Sequence, residues 1–386
     1  MEICTDELVT ICILVYRNYQ YIYTALESVF FQDYSNIELI ISDDGSDNFP
    51  LQEIEKFVEQ NSKDNIKKVI INIEEKNLGT VKHLNKLISM SKGTYFIALA
   101  GDDAFFDSTI ISHYVENFQK NPNYLIQMAQ TAMYDINLEK IEYYYCPPDI
   151  IELINNNQYE NLLARIMEFP YFPTTSTCYT KKLFEKVGNF DEQYFIIEDL
   201  PLHIKLLKKK VPILFDNFLA IKHRDGGISH SEGQVLSESK KKYYLDSLKI
   251  YSSECLPYAK HSKDSDKIER IQQNIFWIEK QLSNTFFKKM VFIFKHPLKS
   301  FKIFLQNKRC LFLQYAKYFF GTSGLFYFLF PLSKSYFSKE IWSLFQEYAY
   351  SFSLFLFLIG VFLLGFGLIG DKLLRWEYFA EFKMTN

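Results

Sequence analysis

The six cysteines, Cys4, Cys12, Cys146, Cys178, Cys255 and Cys310, form no CxxC pair and show no Cys/His spacing that would hold zinc. No zinc module is expected, and a reducing compartment fits best. An export signal is also missing: the chain opens MEICTDELVT, with acids where a basic n-region belongs, and the apolar run VTICILVY is only eight residues long. No internal repeat is visible. Net charge is nearly absent as well, since 43 Lys and Arg stand against 46 Asp and Glu, and a total of −3 gives no reason to expect a nucleic-acid partner.

Aromatic residues are abundant. At 17% aromatic and 48% hydrophobic, the chain has ample apolar surface to offset its ordering entropy, which excludes disorder. Its 386 residues suggest two or three domains.

The small net charge hides a segregation of sign. Lys280 to Lys339 contains eleven Lys and Arg and no Asp or Glu, leaving −14 for the rest. Phe286 to Phe304 mixes Phe and Ile with Lys288, Lys289, Lys295, Lys299 and Lys302, as helices lying among lipid headgroups do, although a soluble helix pair has a similar pattern. Residues 348–370 contain no charged residue and no His over 23 positions, long enough at about 1.5 Å each to cross a hydrocarbon core of about 30 Å. A transmembrane helix is expected there, with a buried core helix as the alternative reading. Lys and Arg crowd its N-terminal side, so by the positive-inside rule residues 1–340 are expected on the cytoplasmic side of that membrane.

Up to about residue 225, strand-like runs alternate with helical stretches, as in βα units around a largely parallel sheet. Strands are expected over 9–16, 37–42, 69–73 and 95–99. Ile22, Ala25, Leu26, Val29 and Phe30 share one helix face, and Val81, Leu84, Leu87 and Ile88 share another. Residues 232–281 are polar and helical in pattern, suggesting a connector packed on the body.

Acids follow two of these strands, in Ser42-Asp43-Asp44-Gly45-Ser46 and Gly101-Asp102-Asp103. Ligands of open α/β sheets bind beyond the carboxyl ends of strands, so acids far apart in sequence converge on one crevice. A carboxylate in the first cluster can accept the imide N–H of uracil. Two adjacent acids in the second can hold magnesium against a diphosphate. Each cluster alone reads equally well as a solvated turn. A third pair, Glu198-Asp199, precedes Pro201 and an apolar helical run; it is either a helix start or the site of a general base.

In order and spacing, LVTICILVYRNYQYIYTALESVFFQDYSNIELIISDDGSDN, NLGTVKHLNKLISMSKGTYFIALAGDDAF, FDEQYFIIEDLPLHIKLLKKK and KHRDGGIS resemble the bacterial family 2 glycosyltransferases of the GT-A fold, over about residues 7 to 230. The resemblance implies that Tyr16 lines the nucleotide pocket, that Asp44 reads the base and that Asp102 faces the donor sugar or ribose. It implies that Asp103 binds Mg2+ or Mn2+ and that Asp199 is the base of an inverting transfer from a UDP-sugar. The chain departs from the pattern at Gly101, which makes the motif GDD rather than DxD, and at Arg224, where relatives often carry His. Lys222 or Arg224 then becomes a candidate for the diphosphate, and His223 and His203 read as structural.

The expected architecture is an α/β GT-A domain with a Rossmann-like, mostly parallel sheet over 1–231, a helical connector over 232–284, and a basic aromatic membrane-associated region over 285–386. The expected activity is transfer of a sugar to a lipid-linked saccharide in O-antigen or capsule synthesis. Two alternatives stand beside it: synthesis of a polyprenyl-phosphate monosaccharide, and a non-catalytic nucleotide-sugar-binding membrane protein. Truncation after Gln281 is expected to move the protein from the membrane fraction to the soluble fraction on sedimentation of lysed cells; continued sedimentation with membranes contradicts the anchor.

Overall fold

The computed structural model describes residues 7–168, 172, 174–225 and 237–282, all within one compact unit, Met1–Leu282. The basic aromatic region and the candidate span 348–370 lie outside the described residues. Among the described residues, no helix is long and apolar enough to cross a membrane.

The first part of the chain alternates as its periodicity predicts. Strands β1 (Val9–Val15), β2 (Ile37–Asp43), β3 (Ile66–Ile73) and β4 (Tyr95–Ala100) are separated by helices α1 (Ile22–Phe30), α2 (Leu51–Asn61) and α3 (Thr80–Met90). They pair in parallel in the order β3-β2-β1-β4. Helix α1 buries the same five residues that share a face in the sequence, and α3 buries Val81, Leu84, Leu87 and Ile88.

The second part departs from the expected largely parallel sheet. It comprises β5 (Ala104–Phe105), α4 (Ile110–Lys120), β6 (Ile126–Tyr134), β7 (Ile141–Tyr144), α5 (Pro148–Asn155), α6 (Tyr159–Glu168), β8 (Thr177–Thr180), α7 (Lys181–Val187), α8 (Asp199–Lys208) and β9 (Leu214–Arg224). The sheet continues β4-β8-β6-β9-β5, with β7 on β6. Only β6 and β9 pair in parallel here; β4 with β8, β6 with β8, β5 with β9 and β6 with β7 are antiparallel. The four-residue β8 enters between β4 and β6 antiparallel to both, so β6 and β9 run in the same direction as β4.

Side chains alternate across the sheet and divide its core into two faces. Val9, Ile11, Ile13 and Val15 of β1 pack with Leu26, Val29 and Phe30 of α1 and Tyr114 of α4. Cys12 of β1 and Ile40 of β2 look the other way, into a cluster with Leu84 of α3, Ile166 of α6 and Leu206 of α8. Each fully buried aliphatic side chain contributes roughly 1.5–3 kcal/mol of transfer free energy. Residues 237–282 extend that second core through α9 (Glu238–Ile250), a π-helical turn (Tyr251–Cys255), α10 (Leu256–Ser262) and α11 (Ser265–Leu282), from which Ile250, Cys255, Ala259 and Ile271 are buried in the same cluster.

Candidate active site

Parallel pairing of β1, β2 and β4 brings their carboxyl ends to one edge of the sheet, and the loops that leave them are bonded to one another. Asp44 N donates to Val15 O at 2.8 Å and Gly101 N donates to Leu14 O at 2.8 Å. Arg17 N donates to Ser46 Oγ at 2.7 Å, and Asn18 Nδ2 donates to Asp102 Oδ2 at 3.3 Å. Tyr16, Asp44, Asp102 and Asp103 are therefore carried by one cluster of strand-end loops. Close packing also accounts for Gly101: a Cβ there meets Val15 Cγ2 at 3.0 Å and Leu14 O at 3.1 Å, leaving little room for an acidic side chain.

Asp44, 4% exposed, accepts Leu78 N at 2.7 Å on Oδ1 and Gly79 N at 3.0 Å on Oδ2. The close approach of the two turns requires glycine at both. Gly45 has φ +74° and its Cβ would lie 2.5 Å from Lys76 C; Gly79 has φ +84° and its Cβ would lie 2.5 Å from Phe195 O. Burial pushes the Asp44 carboxyl up to about 6; the two N–H donors oppose that shift only in part, and the charges of Glu74 and Asp43 add to it. Asp43 gives Oδ2 to Ser46 N at 2.7 Å, while its Oδ1 is buried without a partner. Beneath the turn, Ser42 Oγ lies 2.6 Å from His83 Nε2, and burial holds that imidazole down at about 4.

Asp103 is 1% exposed. Its Oδ1 accepts Arg224 N at 3.1 Å and its Oδ2 lies 2.9 Å from His223 Nδ1. Antiparallel register of β5 on β9 sets this contact, because Ala104 pairs with Lys222. Burial disfavours the imidazolium of His223, but the charge and hydrogen bond of Asp103, with Asp102 and Asp225, outweigh it and raise its pKa. Burial likewise raises Asp102, with the charge of Asp103 adding to the effect.

The two basic candidates fare differently. Arg224 is 6% exposed; it donates from Nε to Asp102 O at 3.0 Å and from Nη1 to Ile136 O, with its guanidinium 4.2 Å from the Tyr21 ring centroid. Two of its donors thus serve backbone carbonyls. Lys222 is half-buried, 5.5 Å from the Phe106 ring centroid. His223, which reads as structural in the sequence alone, is the side chain that meets Asp103.

Asp199 opens α8. Thr174 Oγ1 donates to its Oδ2 at 2.8 Å, and Leu200 N donates to its Oδ1 at 2.7 Å. Its neighbour Glu198 is pushed up to about 8, chiefly by burial and then by the charge of Asp199. The segment leading to this pair touches the start of α3, where Val81 N donates to Phe195 O at 3.4 Å, just beyond Leu78 and Gly79, which bind Asp44. His203, one turn into α8, is 1% exposed; burial lowers it to about 4.

Among the described residues, no group of three His, Cys, Asp or Glu is gathered as a metal cage. Magnesium needs fewer protein ligands, one or two carboxylates completed by water and phosphate oxygens. The oxygen donors of Asp103 and Asp102 fit that need.

Residues 10–188 match the family model described as Glycosyl transferase family 2. Glycosyltransferase GlyG of Streptococcus pneumoniae serotype 4 is 24% identical over 231 residues, covering 59% of this chain and 74% of the relative. An uncharacterized glycosyltransferase of Rickettsia felis is 30% identical over 224 residues, covering 56% of this chain but only 34% of the relative. Among solved structures, S. aureus TarS 1-349 in complex with UDP-GlcNAc is similar at 16% identity and TM-score 0.47, covering 78% of this chain and 81% of that one. These likenesses mark the chain as a glycosyltransferase, the family 2 match covering residues 10–188.

The raised Asp44 carboxyl predicts a pH signature. Its folded value of about 6 lies above the ordinary 3.8, so its stabilising contribution is complete below about pH 4 and is lost as pH rises through about 6. A rise of that size corresponds to about 3 kcal/mol. The unfolding free energy of the native protein minus that of Asp44→Asn is expected to fall by about that amount between pH 4 and 7 in urea titrations; a difference that is flat with pH contradicts the assignment.

Proposed function

We propose that this glycosyltransferase moves a sugar, with inversion, from a UDP-sugar to a lipid-linked saccharide in the assembly of a bacterial surface polysaccharide, at the cytoplasmic face of the membrane. The observation that carries the reading is the bonded cluster of strand-end loops holding Tyr16, Asp44, Asp102 and Asp103, joined through Val81 N and Phe195 O to the segment that delivers Asp199. The uncharged run 348–370 and the basic aromatic stretch before it support an acceptor held near lipid.

In this reading Asp44 accepts the imide N–H of uracil. Both its oxygens already bind backbone N–H groups, but a carboxylate offers about four acceptor sites, which leaves capacity for a base. Asp103, with Asp102, would hold Mg2+ or Mn2+ against the diphosphate, and the metal would neutralise negative charge on the departing UDP. Asp199 takes the proton of the acceptor hydroxyl as that oxygen bonds to the anomeric carbon and the bond from that carbon to the diphosphate oxygen breaks. Thr174 and Leu200 N fix the orientation of the carboxylate.

The roles separate kinetically. Asp199→Asn is expected to lower UDP release from UDP-sugars by about 10³-fold or more while UDP affinity stays within about threefold, because a base acts only in the chemical step. Asp103→Ala is expected to abolish the metal dependence of UDP binding measured by calorimetry. Normal turnover in the first variant, or a wild-type metal titration in the second, removes that residue from its role. Intact-mass analysis of the lipid product identifies the acceptor: a lengthened oligosaccharide is expected, and a lipid carrying one sugar contradicts it.

A further inference from the structure

Helix α9 supplies one buried carboxylate that the chemistry above does not use. Asp246 is 7% exposed, and its Oδ2 alone accepts three successive backbone N–H groups: Phe195 at 2.8 Å, Ile196 at 2.6 Å and Ile197 at 3.1 Å. Successive N–H groups converging on one point form a concave anion site, filled here by a side chain from about fifty residues away. The next two residues are Glu198 and Asp199.

The same helix grips this loop at two further points. Lys242 Nζ lies 3.6 Å from the Phe195 ring centroid, and Lys249 Nζ donates to Gln193 O at 3.3 Å. Positions 242, 246 and 249 fall on one helical face, at i, i+4 and i+7. The loop's other side meets the nucleotide turn, through Phe195 O with Val81 N at 3.4 Å and through the tight approach of Gly79 to Phe195. A loop with three charge-assisted bonds to one oxygen has little freedom, and its last residues carry that restriction to Asp199.

We infer that Asp246 is a positioning residue, through which the helical connector fixes the 195–197 loop and so sets the place of Asp199 relative to the Asp44 turn. The inference rests on the proposed role of Asp199 as base. The connector is then part of the catalytic apparatus rather than a spacer between the nucleotide-binding body and the rest of the chain.

The test uses the full chain with Asp246→Ala and Asp246→Asn, the second of which retains an acceptor oxygen. Three quantities are measured: amide hydrogen exchange across 193–199, UDP affinity by calorimetry, and UDP release from UDP-glucose, UDP-galactose and UDP-N-acetylglucosamine with water as acceptor. In the Ala variant, exchange at 195–197 is expected to quicken about tenfold or more and turnover to fall about a hundredfold, with UDP affinity within about threefold. Asn is expected to recover a large part of both losses. If the Ala variant does not fold, Asn against the native chain decides, with faster exchange confined to 195–197 and turnover lowered at unchanged UDP affinity as the supporting result. Unchanged exchange, unchanged turnover, or a parallel loss of UDP affinity overturns the inference. Asp199→Asn, assayed alongside, separates the two claims: full turnover in that variant refutes the base while leaving the exchange result to stand on its own.

Discussion

Buried carboxylates that accept backbone N–H groups hold this site together. Asp44 captures Leu78 and Gly79, Asp103 captures Arg224, and Asp246 captures the three residues before Glu198. A loop in a protein normally satisfies its backbone with water; here side-chain oxygens do so, and each loop gains one defined geometry. A buried carboxylate without such donors is expensive, so loop and acid depend on each other.

The same arrangement gives the residues a double use. An acid whose burial is offset by fixed N–H dipoles keeps spare lone pairs aimed where those dipoles permit, and its surroundings need not reorganise when a ligand arrives. Compensation is incomplete at Asp44, whose carboxyl stays raised to about 6, and at Asp43, whose Oδ1 has no partner.

Much of the frame is legible in the sequence because it rests on local pattern. Strands β1 to β4 and the buried faces of α1 and α3 follow from hydrophobic periodicity, and the acids after β2 and β4 stand where parallel pairing gathers strand ends. The second half is not legible in that way. Strand β6 is buried at all nine residues and shows no alternation, while β5 and β8 have two and four residues, too short to carry a period. Contacts that depend on register are hidden too: nothing in KHRD tells which residue faces Asp103 until β9 is laid against β5. For that reason the contact of His223 with Asp103 cannot be read from the sequence. Asp246 leaves no signal, because a polar helix rich in lysine looks solvated until its partner loop is known.

The central claim is that Asp44, Asp103 and Asp199 surround one nucleotide diphosphate-sugar. A crystal structure of the full chain with a bound UDP-sugar and magnesium tests it most directly. The account predicts the uracil imide against Asp44, diphosphate oxygens beside Asp103, and the anomeric carbon facing Asp199 across a space that admits one hydroxyl. A nucleotide seated away from the ends of β1, β2 and β4, or an Asp199 carboxylate opening onto a different surface from the sugar, contradicts it.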